Sequence, residues 1–286
     1  MTALPRATVP RAPFVPELSD LPVSLDDQPT PRRIGLVALS TDMTTEVDFA
    51  RMLAPRGIAV HATRIPFANP VTPATLAAMA PDITAAAALI LPDETLDAVV
   101  YSCTSASVVI GDAAVRDAIS AGKPGAAAIT PVSAALAALR ALGVGRLSLL
   151  TPYVAETTVP MAELFTAEGF ALDRVTCMGL ADDRAMARVD AATLVEQARA
   201  ATAPGSDALF IACTALRAAA WISRTEHLIG TDPGGCWIAE VGGRMLGVAT
   251  SSVRDKTWIL ATYVVHPDAQ GQGLGRPLLD AALHHG

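Results

Sequence analysis

The chain has 286 residues, 51% of them apolar, and a formal net charge of -7. That length holds about two domains of ordinary size, and an acidic balance without a basic block argues against nucleic acid as a partner. The longest weakly charged stretch, Gly125 to Leu139, contains Pro131 and is too short to span a bilayer, so no membrane partner is expected.

In chain order, residues 1–30 read as a proline-rich arm without the continuous apolar run of a signal peptide. "RIGLVAL" (33–39) reads as a strand, followed by polar "STDMTTE" and a helix over "VDFARMLA" that Thr44 or Thr45 can cap. "GIAVHATRI" is a second strand, and "TPATLAAMAPDITAAAALILP" is helical with a break at Pro81. "LDAVVYSC" is a third strand, and "SASVVIGDAAVRDAISAG" its helix, stopped by Gly122 and Pro124. "GAAAIT" and "PVSAALAALRALG" add one more strand and helix. The pattern then restarts with the strand "GRLSLLTPY", the helix "ETTVPMAELFTAEG", the strand "ALDRVTCMGL" and the helix "ATLVEQARAATA". It ends on strand, Cys-Thr and helix in "SDALFIACTALRAAAWI".

Alternating strands and helices predict an α/β protein with parallel sheets. Asp97-Ala98, four residues, then Cys103-Thr104 matches Asp207-Ala208, four residues, then Cys213-Thr214. Arg33 and Arg146 open the two units at nearly equal distances before these cysteines. The spacing predicts two pseudo-symmetric, Rossmann-like halves, 31–140 and 141–221, with a cleft between them. Parallel sheets bind ligands beyond the carboxyl ends of their strands, where both cysteines lie. Free backbone N–H groups and the positive end of a following helix favour a thiolate there. Two thiols on opposite sides of a cleft suit proton transfer between the faces of a carbon, or nucleophilic attack from one side. Ser102, Thr104, Ser105 and Thr214 are of the right type to hold the carboxylate of the resulting anion.

A free cysteine is more often a small buried hydrophobe. Cys177 and Cys236 read as core residues, and His61 as a strand residue at a surface. Four cysteines without framework spacing predict reduced thiols and a cytoplasmic protein, and nothing in the spacing of Cys and His points to a metal.

The motifs "GLVALSTDMTTEVDFARML", "TRIPFANPVTPATL", "YSCTSASVVIGD", "LTPYVAETTVPM", "DDRAMARV" and "ALFIACTALRAA" resemble the Asp/Glu racemase superfamily. Within it they are most similar to the maleate isomerase and arylmalonate decarboxylase branch, and there to its ectoine-utilisation members. The resemblance, over about residues 13–220, implies a cofactor-independent enzyme acting on a small carboxylic or amino acid. Cys103 and Cys213 match the two family cysteines, a nucleophile in maleate isomerases and a pair of acid/base groups in racemases. Tyr153 matches a tyrosine that binds a substrate carboxylate. Asp42 and Asp183 stand where maleate isomerases place asparagines, which predicts a substrate with an amino group instead of a dianion. Capping of a helix is the competing role for Asp42. Malonate-type decarboxylation is the rival reaction, and a homo-oligomer is left open.

After Ala220 the superfamily's last strand and helix are not found, which predicts an unpaired parallel edge in the second half. Residues 222–286 instead resemble part of a GNAT N-acetyltransferase, a small incomplete α+β segment. "CWIAEVGGRMLGVATSSV" reads as a hairpin, and "WILATYVVHPDAQGQGLGRPLLDAAL" as strand, glycine loop and helix. Gln270, Gly271, Gln272, Gly273, Leu274 and Gly275 fit the GNAT loop whose amides cradle the CoA pyrophosphate. Acetyl transfer from acetyl-CoA is not expected of so partial a unit, whereas bare CoA binding stays open. An inactive chimera is the remaining alternative.

Overall fold

The structure, a computed structural model, describes residues 17–216, 234, 236–241, 244–254, 257–265 and 273–284. The first half builds a parallel sheet from β1 (Arg32–Leu39), β2 (Ile58–Ile65), β3 (Ala98–Tyr101) and β4 (Ala127–Ile129), in the order β2-β1-β3-β4. The second builds β5 (Arg146–Tyr153), β6 (Ala171–Leu180) and β7 (Ala208–Ile211), in the order β6-β5-β7. The two orders superimpose position for position up to β7. Among the described residues β7 pairs only with β5; the residues that follow it, 217–233, where the sequence predicts that the counterpart of β4 is missing, lie outside the described residues.

The helices of the first half are α1 (Thr45–Leu53), α2 (Pro73–Ala77), α3 (Ile83–Ala88), α4 (Thr104–Ile110), α5 (Asp112–Gly122) and α6 (Pro131–Ala141). Those of the second are α7 (Ala155–Ala167), α8 (Asp183–Met186) and α9 (Ala191–Ala201). Helices break at Pro81, where a short 3-10 turn separates α2 from α3. The single helix expected over 105–122 is in fact two. Gly111 takes φ +98°, a conformation costly for any residue with a side chain, and it ends α4 and starts α5. The helix expected after Thr214 lies outside the described residues from 217 onward.

The repeated aspartates have the same structural job in each half. Asp97 accepts the Arg33 N–H at 2.7 Å while its own N–H donates to the Arg33 carbonyl. Asp207 accepts the Gly145 and Arg146 N–H groups, and its own N–H donates to the Arg146 carbonyl. Each thereby fixes the register in which the third strand of its half meets the first. The Cys-Thr pair six residues later is delivered to the same place at the sheet's carboxyl edge. One apolar core then joins the halves, running from Val37, Leu39 and Val99 to Leu147, Leu149 and Phe165.

Cys177 is exposed, contrary to its expected place in the core, because β6 is the outer strand of its sheet. His61 is half-buried on β2, and its Nε2 is buried without a hydrogen-bond partner among the described residues. β8 (Cys236–Val241), β9 (Arg244–Arg254) and β10 (Thr257–Val265) form a separate antiparallel sheet in the order β10-β9-β8, as the hairpin pattern predicts. Cys236, expected in a core, is half-buried on β8. α10 (Gly275–Leu283) packs against this sheet through buried Leu278 and Ala282. No helix among the described residues is long and apolar enough to cross a membrane.

Candidate active site

The carboxyl ends of β1, β3, β5 and β7 converge on one small cleft of about 320 Å³, its open mouth included. The loop after β3 brings Ser102, Cys103, Thr104 and Ser105 to it, and the loop after β7 brings Cys213 and Thr214. Asp42 arrives from the loop after β1, Tyr153 from the end of β5, and Asp183 from the start of α8. All nine residues singled out in the two halves therefore line the same space. Leu39, Phe67, Val71, Leu76 and Ala215 complete the wall.

The halves are stitched at this point by hydroxyl–carbonyl bonds. Thr214 Oγ1 donates to the Ser102 carbonyl at 3.0 Å, and Thr44 Oγ1 donates to the Ala215 carbonyl at 3.1 Å. The Thr214 hydroxyl, expected to hold a carboxylate, donates between the halves in this structure. The Ser102 hydroxyl is likewise turned to Thr45 Oγ1 at 3.0 Å. Thr214→Val should lower stability by about 1 kcal/mol, the net worth of one hydrogen bond. A denaturant midpoint unchanged from the parent would remove the stitch from the account.

Cys103 is the N-cap residue of α4 with extended backbone, φ -152°. Cys213 sits at φ +93°, a strained conformation for a residue with a side chain, of the kind that costs about 1–3 kcal/mol. The two sulfurs nonetheless have matching surroundings. Cys103 is supported by the Ala106 amide and by Ser105, whose hydroxyl lies 3.6 Å from Sγ. Cys213 is supported by the Ala215 amide and the Tyr153 hydroxyl. Each sulfur thus has one amide and one hydroxyl to stabilise an anion.

Burial outweighs those donors. Desolvation, reinforced by the charges of Asp183 and Asp42, pushes the Cys103 thiol up to about 11. Desolvation and the Asp183 charge push Cys213 up to about 12. The expected thiolate at the helix start is therefore not the resting form: both groups are thiols near neutral pH. Tyr153, 2% exposed, is raised in the same way, first by burial and then by the neighbouring sulfurs.

The two aspartates differ. Asp42 Oδ1 accepts the Thr44 and Thr45 N–H groups, each at 2.9 Å, and Oδ2 accepts the Thr45 hydroxyl at 2.6 Å and the Ser102 hydroxyl at 3.4 Å. That is helix-start chemistry: Thr44, the N-cap residue of α1, makes no side-chain cap bond of its own. Asp183 Oδ2 accepts the Thr41 hydroxyl at 2.7 Å, and its amide donates to Asn69 Oδ1 at 3.0 Å. Burial raises its carboxyl, aided by the Asp42 and Asp182 charges, while Thr41 and Arg184 oppose the rise.

Thr41, Asn69 and the Ala106 and Ala215 amides join these groups without standing out in the sequence. The hydroxyl-rich run "STDMTT" was the one signal for Thr41; the amides carry no side-chain signature. Among the described residues no group of His, Cys, Asp and Glu is arranged to hold a metal ion. Of the expected CoA loop, Gln270, Gly271 and Gln272 lie outside the described residues. Gly273 has φ +81°, and Leu274 and Gly275 lead into α10.

Comparison with known proteins gives two family matches: arylmalonate decarboxylase over residues 69–240 and the acetyltransferase (GNAT) family over 205–286. Maleate isomerase of Nocardia farcinica (strain IFM 10152) is 28% identical over 192 residues, which is 64% of this chain and 76% of the relative. Arylmalonate decarboxylase of Bordetella bronchiseptica is 34% identical over 117 residues, 38% of this chain and 49% of the relative. Among solved structures, a cysteine-to-serine mutant of the Nocardia farcinica maleate cis-trans isomerase, with a covalently bound succinylcysteine intermediate, is similar with a TM-score of 0.62. It is 25% identical and covers 70% of this chain and 85% of its own.

Proposed function

The chain belongs to the arylmalonate decarboxylase family, and on that premise we propose that it is a cofactor-independent isomerase or racemase of a small carboxylic or amino acid, working through Cys103 and Cys213. The observation that carries this reading is the pair of sulfurs, delivered by equivalent loops to one buried cleft with an amide and a hydroxyl beside each.

In the isomerase form, Cys103 passes its proton to the bound substrate's carboxylate as its sulfur adds to one carbon of a double bond. Cys213 donates a proton to the neighbouring carbon, and the remaining single bond turns. Cys213 then takes a proton back as the carbon–sulfur bond breaks, and the carboxylate returns its proton to the Cys103 sulfur, so the enzyme is unchanged. The covalent cysteine adduct of the Nocardia relative supports a sulfur nucleophile. In the racemase form one thiolate removes the α-proton and the opposite thiol returns one to the other face. Tyr153, Ser105 and Thr104, with the backbone amides at the start of α4, hold the carboxylate while charge builds on it. A place in the breakdown of ectoine-type acids follows from the motif resemblance, and four cysteines without framework spacing are in keeping with a reducing cytoplasm.

Two other readings have support of their own. Decarboxylation of a malonate-like acid, which needs only one protonating cysteine, is supported by the match to the Bordetella arylmalonate decarboxylase. Residues 222–286 could bind CoA through the Gln270–Gly275 loop, consistent with the GNAT match. We divide the chain into the arm 1–30, the halves 31–140 and 141–221, and this last segment.

The deciding experiment incubates the protein in D2O with a panel of small amino, dicarboxylic and unsaturated acids. Deuterium at the α-carbon, or cis–trans conversion, is the expected result. A folded protein that does neither, yet melts at higher temperature with CoA, would move the assignment to the C-terminal segment.

A further inference from the structure

Resting on the two-cysteine reading above, we infer that Asp183 forms an ammonium subsite, so that the acid taken by this cleft carries an amino group. The argument begins with the charges that reach the cleft. Its lining holds two carboxylates, Asp42 and Asp183, and no Lys, Arg or His among the described residues. The nearby cations are turned elsewhere. Arg64 donates to the Leu39 and Asp42 carbonyls and pairs with Glu46, and Arg184 is exposed and outside the lining. A substrate with a second carboxylate would meet anions without a cation to balance it.

The hydrogen bonds then separate the two carboxylates. Both oxygens of Asp42 are occupied by the start of α1 and by Ser102, so this group serves the fold. Asp183 is 7% exposed and only its Oδ2 is engaged, by Thr41. Oδ1 has no partner among the described residues, and the side chain lines the cleft. A buried carboxylate with one open oxygen, held on its other side by a hydroxyl, is suited to an N–H cation. The pairing also bears on the chemistry. The Asp183 charge is one of the causes that hold both thiols up, and a bound ammonium would cancel it as the substrate arrives.

The test compares matched acids that differ only by the amino group: aspartate with succinate, and 2-aminobutyrate with butyrate. Melting curves of the full chain at neutral pH give binding, and α-deuterium exchange in D2O is read separately. The amino member of each pair should stabilise the protein at concentrations at least ten-fold lower than its partner. Asp183→Asn should erase or reverse that preference. Asp42→Asn should lower the melting temperature of the empty protein and leave the preference intact. Should Asp183→Asn fail to fold, Thr41→Val, which keeps the carboxylate, should retain the preference. Equal or stronger stabilisation by succinate or butyrate, or no stabilisation by any of the four acids, overturns the subsite. Binding of amino acids without exchange keeps the subsite and sinks the isomerase reading; turnover of acids lacking the amino group does the reverse.

Discussion

Cys103→Ala and Cys213→Ala should each lower turnover by about 10³-fold or more while leaving the protein folded. The size follows from the role. A positioned acid or base contributes about 10²–10⁴-fold, and a sulfur that forms the covalent bond has no substitute in the cleft. Stability should change little, by about 1 kcal/mol, because each substitution removes a single sulfur. The double variant should be little worse than either single one, since groups acting in one step do not contribute additively. The comparison also separates the rival chemistry. Decarboxylation with one protonating thiol would leave one of the two variants active. Retention of more than a tenth of the activity in either variant would end the two-thiol account.

The second large effect is on thiol reactivity. With the Cys103 thiol pushed up to about 11 from an ordinary 9.0, its thiolate is about 10⁻⁴ of the total at pH 7, some 100-fold less than for an unperturbed cysteine. The sign is set by the charge of the reactive form. Burial penalises the thiolate, so ionisation moves to higher pH. Alkylation of Cys103 by iodoacetamide should then rise about ten-fold per pH unit from 7 to 10 and level off only near 11. Cys213, pushed up to about 12, should lag behind it. Cys177, exposed on the outer strand, supplies the internal reference and should be modified first. Limited access slows both cleft thiols, Cys103 buried and Cys213 half-buried, but does not alter the slope with pH, so the slope reports ionisation. A midpoint for Cys103 below pH 8, measured by peptide mapping, would show that the donors beside it outweigh burial.

Much of this molecule is written in short-range pattern. The alternation of apolar runs with helical segments was enough to place β1 to β7 and most helices, because each element is decided by neighbours a few residues away. The match of Asp97 and Cys103 with Asp207 and Cys213 disclosed the two halves, and the same spacing implied that both thiols reach one cleft.

What stayed hidden depends on groups distant in sequence. Thr41 meets Asp183 across 142 positions, and Thr44 meets Ala215 across 171. Nothing local to Asp42 and Asp183 says that one is closed by a helix start and the other open to the cleft. Cys177 looked like core until β6 proved to be an outer strand. The thiols illustrate the point best. Their local surroundings, a strand end before a helix, favour ionisation, and the tertiary structure reverses the outcome by burying them beside two carboxylates. Sequence determined which chemical groups arrive at the cleft. Only the fold decided their ionisation and availability, because desolvation and Coulomb energy follow distances through space.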